Sequence, residues 1–251
     1  MKKKFFIVAR EMVKRADVVL EILDARMPEF TRNKEMEEYA KKLNRPLILV
    51  MNKSDLVARE TLENIKKNYE KEDCVFVSSK KSQGIGELIT KIKERSKGRS
   101  TRIAFIGYPN TGKSSLINRL SKKGRAKTSS ESGFTKGLQL IAGKMGLRLF
   151  DTPGVIPLGE KDEVRLGLFS GISPSKLEDP EIVAYELINM FKKNNPSVLR
   201  RVYGIGMEQD AVEIIHEFGN KRHMFKKGRI VDERRASIQI ITDWHKGKIR
   251  L

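Results

Sequence analysis

Arg102-Ile103-Ala104-Phe105-Ile106-Gly107-Tyr108-Pro109-Asn110-Thr111-Gly112-Lys113-Ser114-Ser115-Leu116 is the stretch that decides the fold. An apolar run feeds a Gly-x-x-x-x-Gly-Lys-Ser loop, and an amphipathic stretch to Leu120 follows. This is the strand, phosphate loop and helix of a P-loop domain. Backbone amides at a helix N-terminus suit an anion. Gly112 lets the backbone come close, and Asn110 and Thr111 line the loop. Lys113 is expected on the beta and gamma phosphates, Ser114 on Mg²⁺ and Ser115 on the alpha phosphate. A Gly-rich turn before an ordinary helix is the plain alternative.

Upstream, Asn52-Lys53-Ser54-Asp55 closes the apolar run Pro46-Leu47-Ile48-Leu49-Val50-Met51. At the carboxyl end of a buried strand, Asp55 can accept hydrogen bonds from the N1 and 2-amino groups of guanine. Adenine offers neither donor, and a site built this way discriminates by about 10⁴. The stem of Lys53 is expected along the base, with Asn52 bracing the loop. Standing alone, Ser54 or Asp55 also reads as a helix cap. Ser78-Ser79-Lys80 follows the next apolar run and is expected to put a backbone amide on the guanine oxygen. Downstream, Asp151-Thr152-Pro153-Gly154 ends another strand pattern. There Asp151 is expected to hold a magnesium-bound water and the Gly154 amide to sense the gamma phosphate. Thr135 is the candidate hydroxyl that closes over Mg²⁺. Lys113, Thr135 and Gly154 are thus the candidate catalytic residues. The base reader precedes the phosphate loop, the reverse of the usual order, so the pattern predicts a circularly permuted GTPase.

Strand patterns at Val18–Leu23, Pro46–Met51, Val75–Val77, Arg102–Ile106, Leu138–Ile141 and Leu147–Phe150 alternate with helical patterns at Lys34–Leu43, Arg59–Tyr69, Ile85–Arg95 and Lys113–Leu120. The nearly continuous apolar runs suit parallel strands buried on both faces. The expected class is α/β: a doubly wound, mostly parallel sheet over residues 1–157. Residues 95–100 read as a hydrophilic linker and 122–133 as a mobile loop. From 165 to 251 the helical signals at Asp179-Pro180, Asp210–Phe218 and Asp232–Trp244 predict an all-helical domain. Ile238-Gln239-Ile240-Ile241 alone is ambiguous, and Gly204-Ile205-Gly206 reads as a turn. Trp244 and Phe225, with apolar neighbours at helical spacing, are expected in the core; stacking on bases is the alternative.

The 251 residues carry a net charge of +19. Between Lys91 and Arg148 there are 15 Lys and Arg against 2 acids, a local excess of +13. A field of this size favours a polyanion beyond the nucleotide itself, and RNA leads; a solubilising surface is the alternative. No apolar run approaches about 20 residues, so a membrane span is not expected. Arg10, Glu11 and Lys14 interrupt the segment where a leader would be apolar. A single cysteine, Cys74, suits a reducing cytoplasm.

With these motifs in order, and with Asp24-Ala25-Arg26, Asp151–Val155 and Lys227-Gly228-Arg229-Ile230-Val231-Asp232, the chain resembles the ribosome biogenesis GTPase A group of YlqF/RbgA-like permuted GTPases. The resemblance spans nearly the whole length. It implies Mg²⁺-dependent GTP hydrolysis to GDP and phosphate, coupled to assembly of the large ribosomal subunit. It also implies a helical domain that binds ribosomal RNA. The basic cluster Lys221, Arg222, Lys226, Lys227, Arg229, Arg234 and Arg235 is the candidate RNA surface. Asn110 resembles the residue that supports K⁺ in potassium-stimulated relatives, where the cation acts beside the phosphates. Val155 stands where many GTPases place a catalytic Gln. The Gly-His-Met of many family members has no counterpart near Phe5–Val8; His216, His223 and His245 all lie in the helical region. A cytoplasmic monomer is expected. Two rivals stand beside it: a nucleotide-gated RNA-binding module with negligible turnover, and a GTPase serving a non-ribosomal complex.

Overall fold

The computed structural model describes residues 2–96, 100–122, 140–150, 153–157, 159–206 and 208–250. Two compact units divide the chain, at residues 1–160 and 161–251.

Among the described residues of the first unit six strands form one sheet: β1 (Val18–Asp24), β2 (Leu47–Asn52), β3 (Cys74–Phe76), β4 (Thr101–Ile106), β5 (Leu140–Ala142) and β6 (Leu147–Phe150). Their order is β3-β2-β1-β4-β6-β5. Every neighbouring pair is parallel except β5 with β6. All seven residues of β1 are buried, as expected of a central strand covered on both faces. The register Val18↔Ile103 through Glu21↔Ile106 joins β1 to β4, and Asp24↔Asn52 aligns the ends of β1 and β2.

Helices cover both faces. On one, α5 (Ile85–Arg95) and α6 (Lys113–Leu120) bring Leu88, Ile92, Leu116, Ile117 and Leu120 onto Leu20, Ile22, Val50 and Phe105. On the other, α1 (Lys2–Arg15) and α3 (Lys34–Lys42) bring Phe6, Ala9, Met12, Val13, Met36 and Ala40 onto Val19, Ala104 and Ile106. Full burial of an apolar side chain of this size is worth about 1.5–3 kcal/mol. A short α2 (Pro28–Thr31) and the amphipathic α4 (Arg59–Asn68) complete the unit. The sequence reading assigned no element to residues 1–15. Its lysines drew attention to the charge, whereas Phe6, Ala9 and Val13 at i, i+3 and i+7 form the buried stripe of a helix. Cys74 opens β3, and burial pushes its thiol up to about 11.

The second unit is helical: α7 (Glu163–Leu168), α8 (Pro180–Asn194), α9 (Val198–Tyr203), α10 (Ala211–Lys221) and α11 (Glu233–His245). Pro180 opens α8 at its first turn, and Asp210 with Glu213 forms a capping box on α10. Ile238–Ile241 is helical. Gly204 ends α9 in the left-handed region, the turn expected there. Trp244 is buried, edge-on to Phe191 at 5.6 Å, and its indole N–H donates to the Leu168 carbonyl at 2.5 Å. The expectation for Phe225 is corrected. It is 38% exposed, because it lies beyond α10 on a short hairpin where Phe225 pairs with Val231.

Candidate functional site

Asn52, Asp55, Ser78, Ser79 and the phosphate loop meet at the carboxyl ends of the sheet, where the strands of doubly wound folds present ligands. The phosphate loop begins as β4 ends. Gly107 has φ 131°, and a Cβ there would lie 2.5 Å from the Ile22 carbonyl oxygen of β1. Only glycine suits that backbone and that spacing.

One side chain joins the two motifs that the sequence separates. Asn52 Nδ2 donates to the Thr111 carbonyl at 2.8 Å, and Asn52 Oδ1 accepts from the Ser79 amide at 3.1 Å. Asn52 therefore ties the base-reading loop to the phosphate loop and to the Ser78–Lys80 turn. Gly112 makes this possible: a Cβ there would sit 2.1 Å from Asn52 Nδ2. Asn52 is buried, so each of these bonds is worth more than it would be in water.

Asp55 accepts from Ser78 Oγ at 2.7 Å, which joins the candidate base reader to the turn after β3. A carboxylate has about four acceptor sites, so this leaves capacity for two donors of a base. Arg119 on α6 clasps the same turn, donating to the Ser79 carbonyl at 2.7 Å and the Lys80 carbonyl at 3.0 Å. The sequence reading missed Arg119, because no local signal connects it with residues forty positions earlier.

Lys53 adopts a left-handed backbone, φ 62° and ψ 27°, and its ammonium pairs with Asp24 Oδ2 at 2.8 Å. Asp24 also takes Arg26 Nη2 on Oδ2 at 2.7 Å and Arg26 Nε on Oδ1 at 2.9 Å. Burial alone would raise the Asp24 carboxyl. The adjacent Arg26 and Lys53 charges outweigh that and hold it well below the usual carboxylate range. Burial also pulls the Lys53 amine below its ordinary value; the Asp24 carboxylate partly offsets this, and the Arg26 charge adds to it.

Lys113 is buried, and its ammonium donates to the Gly107 carbonyl at 2.9 Å and to the Tyr108 carbonyl. Ser114 and Ser115 are exposed at the start of α6, and their hydroxyls make no hydrogen bond among the described residues. Asn110 is exposed at the loop's bend, with φ 60°. Gly154 packs on the phosphate loop, for a Cβ there would lie 3.0 Å from Pro109 Cα. The next amide, Val155 N–H, donates to the Gly107 carbonyl at 3.1 Å. The Val155 side chain is buried among Phe6, Met12 and Ala104 and faces the core. Thr135 and Asp151, with Thr152 and most of the loop expected over 122–133, lie outside the described residues, as does the linker at 97–99.

Glu21, in the middle of β1, is fully buried and accepts the Asn33 amide at 2.6 Å. Burial, reinforced by the charge of Glu37, holds its carboxyl well above the usual carboxylate range, and its Oε2 is buried with no hydrogen-bond partner among the described residues. Asn33 in turn donates from Nδ2 to the Val155 carbonyl at 3.4 Å. A lone acid inside the apolar run Val18–Leu23 was the available signal, and it went unread.

In the helical unit the seven candidate RNA-binding cations divide. Lys221 pairs with Glu217 at 2.9 Å, Arg222 lies over the Tyr203 and Phe218 rings, and Arg234 donates to the Leu177 and Glu178 carbonyls. Lys226, Lys227, Arg229 and Arg235 are exposed, with no acidic partner among the described residues. Among those residues, no helix is long and apolar enough to cross a membrane.

A family model described as a 50S ribosome-binding GTPase matches residues 102–185. The chain is 35% identical over 245 residues to an uncharacterized GTP-binding protein of Methanocaldococcus jannaschii, covering 96% of this chain and 65% of that protein. It is 36% identical to nucleolar GTP-binding protein 2 of Saccharomyces cerevisiae, over 95% of this chain and 51% of that protein. It is 31% identical to ribosome biogenesis GTPase A of Bacillus pumilus, over 93% of this chain and 88% of that protein. The chain thus spans between half and two thirds of the first two relatives and most of the third. Among solved structures, GDP-bound YlqF superposes with a TM-score of 0.70 at 24% identity, over 95% of this chain and 93% of that one. GNP-bound YlqF of T. maritima gives 0.68 at 24% identity, over 99% and 95%. These two likenesses show a shared fold.

Proposed function

The chain belongs to the ribosome biogenesis GTPase A family, and from that premise we propose that it binds GTP and hydrolyses it to GDP and phosphate while acting as an RNA-associated assembly factor for the large ribosomal subunit. The observation that carries this reading is the bond from Asn52 to Thr111, which ties the candidate base reader to the phosphate loop. Asp55, Ser78, Ser79 and Lys80 take the guanine. Asn110, Thr111, Gly112, Lys113, Ser114 and Ser115 take the phosphates, with Gly154 as the gamma-phosphate sensor.

Mg²⁺ fits this chemistry: the exposed Ser114 hydroxyl is uncommitted, and Thr135 and Asp151, the latter through water, are the further ligands we assign to it. The ion supplies charge to the phosphate oxygens. Lys113 adds a positive charge, and the α6 N-terminus adds backbone donors. Val155 is turned into the core and cannot align water. A K⁺ held with the help of Asn110 is our candidate for the missing charge. Lys226, Lys227, Arg229 and Arg235 supply the uncommitted cations for ribosomal RNA phosphates, in the cytoplasm.

Phosphate release from GTP, measured with and without each ribosomal subunit, in Na⁺ and in K⁺, tests the proposal. We expect the large subunit and K⁺ each to accelerate release. The Lys113→Ala control should lose about 10²–10³-fold, the scale of removing one preorganised charge donor. Release no faster than in that control, under all conditions, overturns the enzymatic reading. The burial of Val155 favours one rival specifically, the nucleotide-gated RNA binder, which predicts tight GTP binding without stimulated turnover. Absence of low-salt co-sedimentation with large subunits would point to a non-ribosomal complex.

A further inference from the structure

We propose that Asp24 is a positioning residue for base recognition, acting through Lys53; this rests on the guanine reading above. The register Asp24↔Asn52 sets Asp24 on the strand beside the base-reading loop, at the same height. Its carboxylate is fixed from several sides. Oδ1 accepts from Arg26 Nε and from the Arg26 amide at 3.1 Å, while Oδ2 accepts from Arg26 Nη2 and from Lys53 Nζ. The Asp24 amide itself donates to Thr31 Oγ1 at 3.0 Å. Both Asp24 and Arg26 are buried. The carboxylate is therefore a rigid post rather than a mobile surface acid.

Lys53 is tethered to that post. Its left-handed backbone turns the side chain back across the ends of β1 and β2, and the ammonium reaches inward to Asp24. The four-carbon stem is what remains to face a ligand. Lys53 thus serves as an apolar wall of fixed direction for a flat purine, with its charge matched by Asp24 and withheld from the base. Arg26 keeps Asp24 ionised in the absence of any ligand, so the wall stands before the nucleotide arrives. Removing the Asp24 charge would leave buried Arg26 and half-buried Lys53 as two neighbouring cations, and Lys53 would swing away.

The experiment is equilibrium binding of GDP, ADP and pyrophosphate to the full chain, for wild type, Asp24→Asn, Lys53→Met and the double variant. Asp24→Asn is expected to weaken GDP by about tenfold or more, an effect of roughly one decade in Kd. Pyrophosphate affinity should stay within about twofold of wild type, because the phosphate loop does not use this post; a general loss of structure would weaken both ligands. The double variant should be no weaker than the worse single variant. Losses that multiply in the double variant, or a GDP Kd unchanged in Asp24→Asn, overturn the proposal. If Asp24→Asn does not fold, Lys53→Met decides, since it leaves Asp24 paired with Arg26. Wild-type GDP affinity in Lys53→Met overturns the idea, and a GDP-selective loss supports it. A wild type that prefers ADP, or binds neither nucleotide, would instead defeat the guanine reading itself.

Discussion

Two buried acids lie three residues apart on β1, and their surroundings drive them in opposite directions. Asp24, at the rim of the sheet, meets Arg26 and Lys53 and stays ionised. Glu21, in the interior, meets a backbone amide and, among the described residues, pairs with no cation, and burial drives its carboxyl toward the protonated form. The rim answers charge with charge and keeps it where a ligand can be read. The interior answers charge by removing it. The same contrast separates the polar network of Asn52, Asp55 and Ser78 from the apolar sheet beneath it.

Three substitutions test that contrast. The largest effect is expected at Asp55, where the rim charge itself reads the base. Asp55→Asn should exchange preference from guanine to xanthine nucleotides, because an amide can donate to the 2-oxo group. The swing in relative affinity is expected near 10⁴. Competition binding with GDP and XDP measures it; an unchanged preference would remove Asp55 from the base. Next is Asn52→Ala, which deletes the brace between the loops. Leaving the buried Thr111 carbonyl and Ser79 amide without that partner should cost about 1–3 kcal/mol. GDP affinity and Tm should both fall, and wild-type values for both would show that the loops do not depend on the brace.

The smallest effect is expected inside the sheet. Glu21 has a raised folded-state pKa, so above the ordinary carboxylate range its unfolded form releases a proton that the folded form retains. Stability therefore falls as pH rises, toward the folded value. Glu21→Gln has no proton to lose and keeps an acceptor for Asn33. Its Tm should exceed that of wild type by an amount that grows as pH rises above the ordinary carboxylate pKa and disappears below it. The gain should be about 1 kcal/mol within the first pH unit above the ordinary carboxylate pKa, or roughly 2–4 °C for a chain of this size. Asp24 has the opposite sign: its contribution is present above the ordinary carboxylate pKa and is lost as pH falls. A gain at Glu21→Gln that is flat with pH would mean the interior acid is ionised after all.

The contrast also explains what could be read in advance. Buried parallel strands write themselves as apolar runs, so β1, β2 and β4 were legible, and the phosphate loop fixed α6 to the residue. Asn52 was legible as a brace because its motif occurs as a unit. The Asp24–Lys53 pair was not, since it crosses between strands whose register no single segment encodes. Nor was the clasp from Arg119. Six-residue helices such as α7 and α9 contain too few turns to display a period. Phe225 was misplaced because hydrophobicity alone says nothing about whether a neighbour arrives to cover it.

The pairing of β1 with β4 has a consequence for how the molecule is made. During translation the inner edge of β1, complete at residue 24, waits for a partner strand that ends at residue 106. At ordinary rates of synthesis that interval is roughly 4–16 s. For that time an apolar central strand has its backbone donors and acceptors open on one side, beside a half-sheet already supplied by β2 and β3. Such an edge is a template for the wrong strand. The order of the chain therefore makes the nascent protein, rather than the finished one, the form most in need of protection.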